Sequence, residues 1–280
     1  MCAPFVINEV REALSRRTFL TAVGGTVAAA AVASVPLGAQ VEAAKPVRLA
    51  RGFRDVHDLT HTYSSKLPVF PSFHPLQMTP RFSIAKDGFF ASQLTLDEHT
   101  GTHMDAPMHF IEGGVSADRL PVERFFAPLC VISIAARAAK DADATVQVAD
   151  ILAWEKEHGR IPAGAFVAMH AGWDAKVPNP PSFINRDAKG VNHAPGYGEE
   201  AAKFLVTERD IVGVGVDTLS LDATASGKAP AHIAFLGAGK YGIELLANLT
   251  QVPPSGATII VGGPKHEGAS GGPTRVYAVV

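Results

Sequence analysis

His99-Thr100-Gly101-Thr102-His103-Met104-Asp105-Ala106-Pro107-Met108-His109-Phe110 places three imidazoles and a carboxylate within eleven residues. Neutral imidazole nitrogen and carboxylate oxygen suit Zn²⁺ and Mn²⁺, and a hydrolytic metal needs such ligands held close with one position left open. Each histidine taken singly fits an ordinary polar turn; taken together they favour a metal site. On a helix His99 and His103 would share a face, but Gly101 and the β-branched Thr100 and Thr102 disfavour helix. In an extended segment His103 and Asp105, two residues apart, point to one side, and a turn at Gly101 brings His99 to the same centre. Pro107 stiffens the exit, and His109 follows.

Working outward, Ser92–Asp97 alternates apolar and polar, which predicts a half-buried strand leading into His99. Asp55–Thr60 reads as a strand. Pro68–Pro80, with Phe70 and Phe73, reads as an ordered loop of the kind that walls pockets. Downstream the pattern predicts strands at Val131–Ala135, Ala165–His170, Ile211–Asp217, Ile259–Gly262 and Arg275–Val279. Ile211–Asp217 is apolar almost throughout, as in a strand buried on both faces. Thr145–His158 reads as an amphipathic helix with Ile151, Leu152 and Trp154 on its apolar side, stopped by Gly159. Val177–Gly198 reads as loop, followed by a helix near Glu199–Leu205. With no internal repeat and no clear linker, one domain is expected over 45–280.

The 280 residues are 47% hydrophobic, ample for a core, and carry a formal charge of −2. No Lys/Arg cluster outside the N-terminus suggests a nucleic-acid footprint, so a small-molecule ligand is expected. Cys130 lies alone in the apolar run Pro128–Ile134 and reads as a core residue rather than half of a disulfide. Ser15-Arg16-Arg17-Thr18-Phe19-Leu20, followed by an apolar run to Leu37, resembles a twin-arginine export signal, with cleavage expected near 39–44. Residues 1–44 would then be removed, leaving an exported, periplasmic protein with no membrane span.

Two other chemistries are weaker. Gly213-Val214-Gly215 and Gly237-Ala238-Gly239 do not complete a GxGxxG loop and read as packing or turn glycines. Ser226 and Ser270 lack the GxSxG frame of a nucleophile elbow.

The stretch His99–Phe110 matches HxGTHxDxPxHF at every fixed position. It resembles the metal-dependent cyclase family, which includes kynurenine formamidases and isatin hydrolases. The likeness runs from about Asp55 to the C-terminus, through Gly172-Trp173, Gly215–Thr218 and His232–Glu244. It implies an α/β fold: one layered β/β/α domain of swivelling type with a mixed sheet. It also implies that His99, His103 and Asp105 bind metal and that His109 is the general acid/base. His232 and Glu244, twelve residues apart, match the extra ligands of two-metal members; as in one-metal members, they can instead be outer or substrate groups. From the residues alone, His232 reads as a buried helical histidine and Glu244 as a carboxylate in an apolar strand that needs a partner.

The resemblance implies one or two divalent ions, Zn²⁺ or Mn²⁺, and a homodimer or larger homo-oligomer. The activity implied is hydrolysis of a small amide, lactam or N-formyl aromatic substrate at a C–N bond other than a peptide bond. Phe70, Phe73, Phe89, Phe90, Phe110 and Trp173 are the aromatic candidates to stack on a planar substrate, with Phe70, Phe73 and Trp173 foremost. The alternative is a non-catalytic periplasmic metal- or ligand-binding protein on the same fold.

Overall fold

Side chains on the central strands alternate in direction, and this alternation builds two cores from one sheet. The structure is a computed structural model that describes Gly52 and residues 54–280; the expected export signal, 1–44, lies outside the described residues. In chain order the strands are β1 (Val56–Asp58), β2 (Gln77–Phe82), β3 (Ala91–Thr95), β4 (His103–Asp105), β5 (Phe126–Ser133), β6 (Thr145–Val146), β7 (Ala165–His170), β8 (Gly196–Tyr197), β9 (Ile211–Val216), β10 (Tyr241–Glu244), β11 (Ala257–Gly262), β12 (Gly271–Pro273) and β13 (Arg275–Val279). The longer helices are α1 (Val148–His158), α2 (Glu199–Glu208) and α3 (Pro230–Gly237). Among the described residues no helix is long and apolar enough to cross a membrane.

A nine-stranded mixed sheet runs in the order β1-β13-β11-β5-β7-β9-β10-β4-β12. β5, β7, β9 and β10 are parallel neighbours, and the strands that flank them pair antiparallel. Parallel neighbours need crossovers, which α1, α2 and α3 supply between successive members. One face of these strands, through Cys130, Ile132, Val167, Met169 and Val214, packs on Ile151 and Trp154 of α1, Leu205 of α2 and Phe235 of α3. The opposite face, through Leu129, Val131, Phe166 and Ala168, meets Met104, Ile259, Val276 and Ala278 from the antiparallel strands. The sheet thus curls to cover its own second face, giving the layered β/β/α arrangement expected. Gly213 and Gly215 serve close packing, as anticipated: a Cβ at Gly213 would lie 2.8 Å from the Tyr241 ring, and one at Gly215 2.6 Å from Leu246. Cys130 is free and buried, and burial pushes its thiol up to about 12.

Several boundaries differ from the sequence reading. Thr145-Val146 forms a strand rather than the first turn of α1, whose start is set by a capping box between Gln147 and Asp150. Leu152 is 48% exposed, so only Ile151 and Trp154 form the buried side of α1. Val177–Gly198 is not all loop, since it contains a short helix, Pro180–Ile184, and β8. Pro68–Pro80 ends inside β2, and Ser92–Asp97 is not half-buried: β3 pairs with β2 in a separate two-stranded sheet, and Leu94 is 55% exposed.

Residues 79–93 belong to a second compact unit and are described separately. They turn through the short helix Ile84–Asp87, which ends at Gly88 with φ +80. Phe82 packs on Phe89 at 4.8 Å between ring centroids, and Arg81 bonds Gln93 at 2.9 Å.

Candidate metal centre

β4 carries the middle of the histidine-rich stretch and is buried along its whole length. It is clamped antiparallel between β10 and β12. The register sets Glu244 opposite His103, with Gly242 and Gly271 on either side of Asp105. His103 and Asp105 share a strand face, and Glu244 joins them as a cross-strand neighbour. His232 comes from the first turn of α3 and is likewise buried. The non-helical presentation expected of 99–109 is therefore observed: Gly101 turns at φ +65, and Pro107–His109 forms a single 3₁₀ turn.

The four side chains converge. His103 Nε2 lies 3.3 Å from Asp105 Oδ1 and 3.5 Å from Glu244 Oε2. His232 Nε2 lies 3.4 Å from Asp105 Oδ2 and 3.2 Å from Glu244 Oε1. His103, Asp105 and Glu244 bring donor atoms within 4.8 Å of one another, and His232 is tied to the two carboxylates of that group. The other nitrogen of each ring is engaged elsewhere: His103 Nδ1 donates to the Gly101 carbonyl at 2.8 Å, and His232 Nδ1 to Asp222 Oδ2 at 2.6 Å. Both Nε2 lone pairs therefore face the centre. His103 Nε2 and Asp105 Oδ2 are buried with no hydrogen-bond partner, a costly condition that a cation relieves. The donor set, its spacing and these orphaned atoms fit a divalent cation.

Protons balance the charge without a cation. Burial works to lower His103, but the hydrogen bond and charge of Asp105, the charge of Glu244 and the Gly101 carbonyl outweigh it and raise His103 to about 9. His232 is likewise held well above the usual imidazole range, where Asp105, Asp222 and Glu244 outweigh burial. Burial would raise Asp105, but hydrogen bonds from His103, His232 and His99 hold it well below the carboxylate range. Glu244 is raised by burial and then by the Asp105 charge. Binding a cation here displaces protons from the two imidazoles.

His99 lies outside this tetrad, on the far side of Asp105. Its Nδ1 is 2.6 Å from Asp105 Oδ1 and its Nε2 2.9 Å from Ser270 Oγ, which donates in turn to Glu98 Oε2 at 2.5 Å. His109 stacks on the His99 ring at 3.7 Å between centroids, and donor atoms of His99, Asp105 and His109 lie within 4.8 Å of one another. Burial, with smaller contributions from the neighbouring histidines, lowers His109 to about 4. It is a neutral imidazole at neutral pH.

A cleft of about 390 Å³ opens over these groups, lined by Phe70, Phe73 and Phe110, with Leu219, Ser220, Thr224 and Lys228 on its other side. Phe73 stacks near His99 at 6.0 Å, and Phe110 lies 4.5 Å from the His232 ring. Trp173 is a correction: it lines no part of the cleft and is 2% exposed, inside the helix-side core. Asp217 holds the Ala171 and Trp173 N–H groups, which directs the indole inward, and its Nε1–H donates to the Phe183 carbonyl at 2.8 Å. Phe89 and Phe90 belong to the other compact unit, 79–93.

Sequence reasoning missed Asp222, Ser270 and Gly271. A Cβ on Gly271 would lie 2.1 Å from the Met104 carbonyl and 2.7 Å from the His99 ring, so this glycine makes room for the imidazole. The Gly271-Gly272 pair was a usable signal. Asp222, ten residues before His232, carried none. Ser226 and Ser270 are occupied with Lys228 and Glu98, as their missing nucleophile frame implied.

The sequence model of the Cyclase family matches residues 57–223. An isatin hydrolase from Roseibium aggregatum is 35% identical over 252 residues, covering 83% of this chain and 94% of its own. A kynurenine formamidase from Salinibacter ruber is 29% identical over 221 residues, covering 78% and 94%. The solved structure of isatin hydrolase A from Ralstonia solanacearum superposes with a TM-score of 0.76 at 37% identity, covering 80% of this chain and 91% of that one. Since the family match spans more than half of the sequence and takes in the whole His99–Phe110 stretch, the chain belongs to the Cyclase family.

Proposed function

We propose that this chain is a metal-dependent hydrolase of small amides, acting on C–N bonds other than peptide bonds. The observation that carries the reading is the cluster His103, Asp105, His232 and Glu244, in which His103 Nε2 and Asp105 Oδ2 are buried without a partner, beside a neutral His109. These four residues would hold the cation, and His99, bonded to Asp105, stands beside them. When bound, a divalent cation supplies acidity to a water molecule near neutral pH and positive charge for the carbonyl oxygen.

The chain's own residues supply the rest. Neutral His109 accepts a proton from the attacking water and returns it to the departing nitrogen, which leaves poorly as an anion. The His99 ring beneath His109 fixes its plane, and Ser270 and Glu98 fix His99. Phe70, Phe73 and Phe110 form an apolar wall that takes a planar substrate and excludes water. Isatin-like lactams and N-formyl aromatic amines fit such a wall, and the named relatives support both. Zn²⁺ and Mn²⁺ both suit the donor set.

We further propose export by the twin-arginine route, on the Arg16-Arg17 motif and the apolar run after it, and assembly as a homodimer or larger homo-oligomer. Replacing Arg16 and Arg17 with lysine should retain the chain in the cytoplasm, and light scattering of purified protein reads its mass. For activity, isatin, N-formylkynurenine and simple lactams should be tested with Zn²⁺ and Mn²⁺ supplied separately. Turnover of at least one with bound metal is expected. Stoichiometric metal with no turnover of any would favour the non-catalytic binding protein.

A further inference from the structure

We propose that the dipeptide Leu221-Asp222 positions the far half of the metal site, with Asp222 the positioning residue for His232; the inference rests on the metal reading above. His103 and Asp105 lie on one strand and need no outside help to converge. His232 and Glu244 come from α3 and β10, and both are bonded to this dipeptide. The Leu221 N–H donates to Glu244 Oε1 at 2.9 Å. Asp222 Oδ1 accepts the Ala231 N–H at 2.7 Å, and Oδ2 accepts the His232 N–H at 3.1 Å and its Nδ1–H at 2.6 Å.

Two needs are met by one carboxylate. The residue before α3 is Ala229, which has no side chain to cap the helix, so the open N–H groups of the first turn are taken by Asp222 instead. A carboxylate only accepts, so it keeps the proton on His232 Nδ1 and leaves the Nε2 lone pair for the tetrad. Helix start, ring orientation and tautomer are set together.

The dipeptide is itself held against β8. Tyr197 N–H donates to the Leu221 carbonyl at 2.7 Å, and Tyr197 pairs with Asp222 as a parallel bridge. The Tyr197 hydroxyl is anchored on the Val167 carbonyl of the central sheet at 2.9 Å. Gly196 passes so close that a Cβ there would lie 2.2 Å from the Asp222 carbonyl carbon and 2.3 Å from the Ala223 nitrogen. The central sheet therefore fixes β8, β8 fixes Leu221-Asp222, and the dipeptide fixes both distal ligands.

The test uses the full chain and the variants Asp222→Asn, Asp222→Glu and Gly196→Ala. Zn²⁺ affinity is read by chelator competition, and the His232 Nδ1–H by long-range ¹H–¹⁵N spectra of metal-free and Zn²⁺-loaded protein. Asp222→Asn should weaken Zn²⁺ binding by about 10–100-fold, the range for groups that orient a metal ligand, and should lose the far-downfield Nδ1–H signal. Asp222→Glu should recover part of both, which a merely structural role would not require. Gly196→Ala should lower affinity although it touches no ligand. Wild-type affinity in a folded Asp222→Asn protein, or an unchanged Nδ1–H signal, would overturn the proposal. If Asp222→Asn does not fold, Asp222→Glu decides by the same two readings. A wild-type chain that binds no Zn²⁺ refutes the metal reading instead, and the Nδ1–H signal of the metal-free variants still decides the role of Asp222.

Discussion

Among the described residues, His170, Asp174 and Asp217 form a second gathering of metal-ligand residue types away from β4, and only the β4 site has the form of a metal site. His103, Asp105, His232 and Glu244 place donors 3.2–3.5 Å apart. His170, Asp174 and Asp217 bring donors within 4.8 Å of one another, but among the described residues no histidine–carboxylate distance in this group falls within 4.0 Å. The second group's carboxylates are committed to backbone. Asp217 accepts the Ala171 and Trp173 N–H groups at 2.9 Å each, and Asp174 accepts the Asn248 N–H at 3.0 Å. His170 Nε2 is buried without a partner just as His103 Nε2 is, so the distinction lies in the carboxylates that face them. Asp217 is a structural carboxylate that shapes the turn after β7, while Asp105 keeps an oxygen free.

The largest contrast should appear on truncating one histidine in each group. His103→Ala should lose bound metal and activity together, by more than the roughly 100-fold typical of groups that only orient a ligand. His170→Ala should leave metal content unchanged. Elemental analysis and kcat/KM of the two purified variants provide the check, and metal loss in His170→Ala would erase the distinction. Next in size, His109→Ala should keep the metal and lose about 10²–10⁴-fold in rate, the usual worth of a positioned acid/base. Loss of metal in that variant would move His109 among the ligands.

Asp217 offers a smaller effect with a definite sign. Burial outweighs its backbone hydrogen bonds and raises it from 3.8 to about 7. The folded chain thus holds this proton at a pH where the unfolded chain has released it. The associated stability is full below about pH 4 and is lost as pH rises toward 7, by up to about 4 kcal/mol at roughly 1.4 kcal/mol per unit. Asp217→Asn should flatten that slope, read as the difference between wild-type and variant unfolding free energies from pH 4 to 8. An unchanged slope would assign the pH dependence to other groups. Smallest, Trp173→Phe should cost about 1 kcal/mol of stability through its lost hydrogen bond to Phe183, with KM unchanged. A raised KM would return Trp173 to the substrate cleft.

In the parallel core, β7 matches the sequence reading end for end and β9 nearly so because each is a continuous apolar run, whereas β5 starts at Phe126, before the expected Val131; antiparallel β13 also matches. The stretch 99–110 was legible because glycine, proline and β-branched residues exclude helix there. The exposed hairpin was not, since Ser92–Asp97 alternates just as a half-buried strand does, and alternation does not say what covers the apolar face. Trp173 misled for a related reason: an aromatic beside Gly172 fits a cleft wall as well as a core, and the choice is made by Asp217, 44 residues away. Asp222 was invisible because its contacts with α3 depend on the path of the intervening loop. His232 and Glu244 were singled out through the family resemblance, whose spacing they match, yet their convergence on His103 is a matter of strand register and helix placement that no local pattern contains.

The most direct test is an anomalous-scattering map of crystals loaded with Zn²⁺. A peak about 2.0–2.2 Å from His103 Nε2, Asp105, His232 Nε2 and Glu244, with none at His170, Asp174 and Asp217, is the expected result. A peak at the second group, or none among the four, would contradict the assignment of the metal centre.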